Sequence, residues 1–275
     1  MHSPQRRLIA SIIPIALFAV TAITPPPTGD VTPVAAPPAA DDRWQPLFNG
    51  KDLDDWTPKF VGHEAGINYR NTFRVEDGLL SVNYDEYETF NNRFGHLFYK
   101  TPYSHYRLRI EYRFVGEQVA GGPGWAFRNN GLMLHCQSPE SMRIDQDFPV
   151  SIEAQLLGGD GRNDRPTLGV CTPGTHIVMD GELVTRHCTN AAAPTIHGDR
   201  WVTIEIEVRG HEVIRHIIDG RVVLEYHEPQ LDPGSDDARP LIRDERLALD
   251  RGYIAIQAES HPTQFRRIDL QVIEP

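Results

Sequence analysis

The sequence predicts an all-β fold of two antiparallel sheets packed face to face, on three observations. From Trp44 onward apolar residues alternate with polar ones in short runs bounded by Gly, Pro, Asn and Asp, which is the pattern of half-buried strands. No long stretch repeats apolar residues at helical spacing. Asp180-Gly181 and Asp219-Gly220 carry the chemistry of tight hairpin turns, which need positive φ. The runs at 72–75, 79–83, 95–99, 106–115, 131–137, 151–157, 176–179, 182–186, 201–209, 212–218, 221–226, 252–258 and 266–273 are the expected strands. That is more than a small barrel requires and suits a sandwich.

The segments ahead of this domain read differently. Within residues 1–22, Arg6 and Arg7 precede the apolar stretch 8–20, and Val20-Thr21-Ala22 is a small-residue end. This is the order of a cleavable signal peptide. The stretch is shorter than the roughly 20 apolar residues a bilayer span requires and contains Pro14, so no stable membrane span is expected after cleavage. Residues 23–43 are rich in Pro and Ala and bury too little to offset chain entropy, which makes them a linker. The domain therefore covers residues 44–275, and the protein is expected to be secreted or periplasmic.

With 275 residues, 40% of them hydrophobic, the chain can bury a real core. Its formal charge of -11 disfavours nucleic acid, because a sequence-independent grip on phosphate needs Lys and Arg. The three cysteines are Cys136, Cys171 and Cys188. An exported protein can hold disulfides, and a hairpin turning at 179–182 would bring Cys171 and Cys188 together. Cys136 sits in an alternating strand and reads as a small buried hydrophobe.

The faces of three strands carry the functional signal. Alternation sets Met133, His135 and Gln137 opposite Leu132, Leu134 and Cys136; Ser151, Glu153 and Gln155 opposite Ile152, Ala154 and Leu156; and Tyr253, Gln257 and Glu259 opposite Ile254, Ile256 and Ala258. The strand with Thr203, Glu205, Glu207 and Arg209 reads as an ordinary solvent face. The other three carry His, Gln, Glu and Tyr without Lys, the donors and acceptors that suit sugar hydroxyls. A buried, satisfied polar network is the competing reading of the same pattern.

The segments WQPLFNGKDLDDW, FRVEDGLL, TPYSHYRLRIEYRF, NNGLMLHCQ, SIEAQLLGG, GYIAIQAES and QFRRIDLQVI, in this order, resemble the 3-keto-disaccharide hydrolase family over nearly all of the chain from Trp44. The resemblance implies a concanavalin A-like jelly roll with a saccharide-binding sheet. It also carries the family's Glu of the E-x-Q strand onto Glu153, with Gln155, and its N-x-G strand onto Asn130 and Gly131, with the polar face running through His135. Glycosidases of the laminarinase type set two or three carboxylates on one strand, whereas SIEAQLL has only Glu153, so two-carboxylate hydrolysis is not expected.

A ketone at C3 acidifies the proton at C2, so one base suffices: the glycosidic oxygen leaves by elimination and water adds later. Glu153 or His135 is the expected catalytic base. Arg128 and Asn130 are candidates for holding the carbonyl oxygen. Gln137, Gln155, Gln257, Glu259, Trp125 and Arg266 are the remaining candidate saccharide contacts. No catalytic metal or cofactor is expected, although Asp160, Asn163 and Asp164 offer oxygen ligands to a structural calcium. The alternative to a glycoside-cleaving enzyme is a non-catalytic carbohydrate-binding module of the same fold.

Overall fold

The structure is a computed structural model and describes residues 44–275; the expected signal peptide and linker lie outside them. The strands run in the order β1 (Gln45–Pro46), β2 (Trp56–Phe60), β3 (Phe73–Glu76), β4 (Leu79–Val82), β5 (Gly95–Tyr99) and β6 (His105–Phe114). They continue as β7 (Asn129–Cys136), β8 (Ile152–Leu157), β9 (Val170–Cys171), β10 (Thr175–Met179), β11 (Glu182–Val184) and β12 (Cys188–Thr189). The last five are β13 (Val202–Arg209), β14 (Val213–Ile218), β15 (Arg221–Leu231), β16 (Tyr253–Ala258) and β17 (Thr263–Val272).

These form two sheets. The seven-stranded sheet has the order β12-β9-β8-β7-β16-β5-β2, and the ten-stranded sheet has the order β11-β10-β15-β14-β13-β6-β17-β4-β3, with β1 also on β17. Every named strand pair is antiparallel. The chain crosses repeatedly between the layers, and the result is the jelly-roll β-sandwich expected. Leu132, Leu134, Ile152, Ala154, Leu156, Ile254 and Ile256 of one sheet meet Leu108, Ile110, Ile204, Ile206, Ile268 and Leu270 of the other in one core. Among the described residues no helix is long and apolar enough to cross a membrane.

The outer face of the ten-stranded sheet is ionic. Glu207 accepts from Arg107 at 2.6 Å and from Arg215 at 2.9 Å, Glu205 accepts from Arg109 at 2.9 Å, and Glu111 accepts from Arg266 at 2.7 Å. This is the wet face read from Thr203 to Arg209. Both Asp-Gly turns form as predicted, with φ of 52° and 81° at Asp180 and Gly181, and 51° and 71° at Asp219 and Gly220.

Two local departures matter. Tyr253 pairs with Cys136 but Ala255 pairs with Met133, so two residues of β7, Leu134 and His135, stand against one of β16. This is a β-bulge, and His135 sits in it with φ 51°. Beyond the bulge the alternation slips, so Cys136 joins Met133, Phe98 and Ala255 in a cluster apart from the main core. The segment 228–250, which lies outside the expected strands, begins as the end of β15 and then folds back, with Leu231 and Ala238 buried against Val150.

Cys171 and Cys188 form the expected disulfide. They are directly opposed in the β9–β12 pair, which ends the seven-stranded sheet. Closing a loop with a sequence separation of 17 stabilises by about 3 kcal/mol in the chain-entropy model. A Cys171→Ser/Cys188→Ser variant is therefore expected to lose stability of that order in urea unfolding, and an unchanged midpoint would refute it.

Candidate active site

The pleat of the seven-stranded sheet delivers the site. On its outer face β8 presents Glu153 and Gln155, paired with Met133 and Gly131 of β7. On β16, Ile256 pairs with Leu132, which sets Gln257 across from Gly131 and, two residues on, Glu259 across from Asn129. Gly131 is the low point of this ring of polar side chains. A Cβ there would meet Cγ of Glu153 at 2.8 Å and would collide with its Oε1, so the absence of a side chain lets the Glu153 carboxylate lie over the strand.

A cavity of about 450 Å³ opens on this face, lined among others by Asn129, Glu153, Gln155, Arg165, Glu259 and Trp125. Its size falls within the range of ordinary ligand pockets. Glu153 and Glu259 are 5% and 3% exposed, too little for water to screen them. Burial pushes the Glu153 carboxyl up to about 8. Glu259 is raised well above the usual carboxylate range, first by burial and then by the Glu153 charge, while Arg165 opposes the shift. Two such groups cannot both ionise cheaply, so when Glu153 gives up its proton Glu259 keeps its own. Oε1 of Glu153, Oε2 of Glu259 and Oδ1 of Asn129 have no hydrogen-bond partner. Buried polar groups are nearly always paired, so these unpaired oxygens mark the cavity as chemically unusual.

Arg165 organises the wall. Its Nη2 donates to the Trp125 carbonyl at 2.7 Å, and Nη1 donates to the carbonyls of Gly158 at 3.0 Å, of Arg128 at 3.1 Å and of Phe127. The guanidinium thereby ties the loop before β7 to the end of β8. This fixes Trp125, which is 54% exposed and stacked on Phe94 at 5.9 Å and 15°.

The candidates divide clearly. Glu153, Gln155, Glu259 and Trp125 line the cavity, and Gln257 shares their face. His135 does not join them. The bulge turns its ring toward the ten-stranded sheet, where Nε2 lies 3.1 Å from the Gly210 carbonyl, and it borders a different cavity with Gln137, Arg251 and Leu231. Burial lowers its pKa to about 4. Gln137 is likewise outside the site, its Oε1 accepting from Gln146 and from the Val150 amide, each at 2.8 Å.

Arg128 is spent on the Gly198 carbonyl at 2.8 Å and on Asp199 at 2.6 Å. Asn130 has the opposite parity to Gly131 and turns inward, donating to the Gln257 carbonyl at 2.7 Å. Arg266 lies on the ionic face of the other sheet, paired with Glu111 and 4.6 Å from the Trp201 ring centroid. In the loop of Asp160, Asn163 and Asp164, Asp160 accepts from the Arg162 and Asn163 amides at 2.8 Å and from the Asn163 side chain at 2.7 Å.

Sequence reading missed Asn129, although the parity of β7 places it beside Gly131. It also missed Phe148 and Arg165, which line the cavity from irregular loops where no period marks them. β8 carries only Glu153, as its sequence shows, and a second carboxylate, Glu259, reaches the same cavity from a segment remote in sequence. Among the described residues the one cluster with metal-ligand types is Cys171, His187 and Cys188; its sulfurs are joined in the disulfide and offer no thiolate.

Two buried carboxylates thus face one cavity on the outer face of a jelly-roll sandwich. Residues 43–271 match the model of the 3-keto-alpha-glucoside-1,2-lyase-like domain, and the chain belongs to that family. The enzyme class expected from the sequence, one breaking a glycosidic bond by hydrolase or lyase chemistry, is the class this family defines. No curated protein sequence matches the chain. Among solved structures it is similar to a presumed glycosyl hydrolase from Parabacteroides distasonis, 15% identical over 84% of this chain and 94% of that one, with a TM-score of 0.48. It is also similar to a Bacillus subtilis protein with a galectin-like fold, 12% identical over 84% and 96% of the two chains, with a TM-score of 0.44.

The raised Glu153 carboxyl makes stability depend on pH with a definite sign. Its neutral form favours the fold; the contribution is complete below the unfolded pKa of 4.5 and is lost as pH rises through about 8, by up to about 1.4 kcal/mol for each pH unit. Glu153→Gln is expected to flatten the wild-type decline in thermal midpoint over this window and to be the more stable protein at pH 8. Parallel curves for the two proteins would refute the assignment.

Proposed function

We propose that this protein cleaves 3-keto-glycosides, including 3-keto-disaccharides, by elimination across C1 and C2 followed by hydration. Glu153, ionised, removes the proton from C2, and the electron pair passes into the C3 carbonyl as an enolate. When the enolate collapses to a C1=C2 double bond conjugated with the ketone, the C1–O bond breaks and the departing oxygen takes the proton held by Glu259. Addition of water across the double bond then gives the free 3-keto sugar. The amides of Asn129 and Gln155 are the neutral donors on the wall for the carbonyl oxygen.

The observation that carries this reading is the pair of buried carboxylates whose charges oppose one another in one cavity. Such an arrangement keeps one group a base and the other an acid. The exposed Trp125 supports a sugar ligand, since its ring offers a flat apolar face to a pyranose. Export is part of the proposal: the Arg-then-apolar start of the chain and the Cys171–Cys188 disulfide both fit an oxidising compartment, where the substrate would be an extracytoplasmic saccharide.

With 3-ketotrehalose or 3-ketolactose as substrate, release of glucose is expected to rise with pH through about 8. Glu153→Gln is expected to lose about 10²- to 10⁴-fold in kcat, and His135→Asn is expected to stay within a few fold of wild type. Wild-type protein that binds neutral glycans but turns over neither keto sugar would favour the non-catalytic module instead.

A further inference from the structure

The polar face does not end at the cavity. Across Gly131 from Gln155 the same row continues through Gln257, then His96 of β5, then Lys59 of β2, by the pairs Gln257 with His96 and His96 with Lys59. These residues stand on the outer face of the sheet, away from the main core, yet Gln257 is 0% and His96 1% exposed. Neither amide atom of Gln257 and neither ring nitrogen of His96 has a hydrogen-bond partner. Leaving a buried polar group unpaired is destabilising. An apolar pair would be the cheaper way to fill this space if it served packing alone.

Phe148 packs against this row at His96. Its ring packs edge-on against His96 at 5.9 Å and at a tilt against Phe94 at 5.0 Å, and the same residue lines the cavity. The backbone beneath it is held by Gln146, whose Nε2 donates to the Phe148 carbonyl at 2.8 Å. Phe148 thus stands between His96 and the open cavity.

We propose that Gln257 and His96, beneath Phe148, form a second saccharide subsite that binds the hydroxyls of the sugar unit adjoining the one that is cleaved. The inference rests on reading the cavity as a glycoside site. Burial, with the Lys59 charge adding to it, lowers the His96 pKa to about 3, so the ring is neutral and offers one donor and one acceptor. The Gln257 amide also offers both. Two neighbouring groups of this kind complement vicinal hydroxyls, each of which donates and accepts. Phe148 displaced from the row has a ring face free to stack on the same sugar.

The test uses Gln257→Leu and His96→Leu. Because each removes an unpartnered group, the unliganded thermal midpoint is expected to hold or rise. The KM for 3-ketotrehalose should increase at least tenfold more than the KM for the single-ring substrate methyl 3-keto-α-glucoside. A ratio of the two KM values equal to wild type would overturn the subsite, including the case where both substrates suffer equally. If wild type cleaves neither substrate the proposed function falls, and the subsite is then judged by the thermal shift on adding trehalose. A shift present in wild type and lost in Gln257→Leu supports it; no shift in wild type, or equal shifts in both, overturns it.

Discussion

The site depends on the pleat of one sheet. In the seven-stranded layer each strand gives its apolar residues to the core and its alternate residues to the outer face, so Ile152, Ala154 and Leu156 pack inward while Glu153 and Gln155 stand outward at fixed spacing. Cross-strand register then joins side chains from distant parts of the chain. Glu153 on β8, Asn129 on β7 and Glu259 just past β16 meet around Gly131 without any local motif to connect them. A register slip of one residue would turn all of them into the core.

Burial gives this group its chemistry. The two carboxylates lie in a cavity lined by Arg165, whose guanidinium is engaged with four backbone carbonyls and whose pKa burial lowers. Charge on Glu153 or Glu259 is therefore costly, and both hold protons beyond the usual range. The ten-stranded sheet shows the contrast: Glu207 also lies among buried neighbours, yet hydrogen bonds from Arg107 and Arg209 overcome the burial and bring its pKa down to about 2. The same residue type is tuned in opposite directions on the two outer faces. Only one of them is suited to proton transfer.

His135 shows how a single backbone residue redirects function. Its place in the alternating run of β7 made it as good a base as Glu153, and strict period two would have set it on the polar face. The bulge puts it at positive φ, and its ring closes instead on the Gly210 carbonyl. Asn130 and Asn129 make the same point by parity. Either could serve the N-x-G pattern, but Asn130 faces the interior and ties β7 to β16, leaving Asn129 to line the cavity.

The order of residues is enough to specify the layers of this protein: period two, the Asp-Gly turns, the Cys171–Cys188 pairing, and the face that carries Glu153, Gln155, Gln257 and Glu259. These are properties of short segments, where side-chain direction follows from the pleat and turn chemistry from the residues at the turn. Tertiary structure alone decided which polar residues meet. Arg165 and Phe148 come from irregular loops, His135 left the face through a bulge, and Arg128 and Arg266 went to Asp199 and Glu111. Register between strands far apart in the chain, and the burial that follows from it, are set by packing of the whole sandwich, and no local run of residues encodes them.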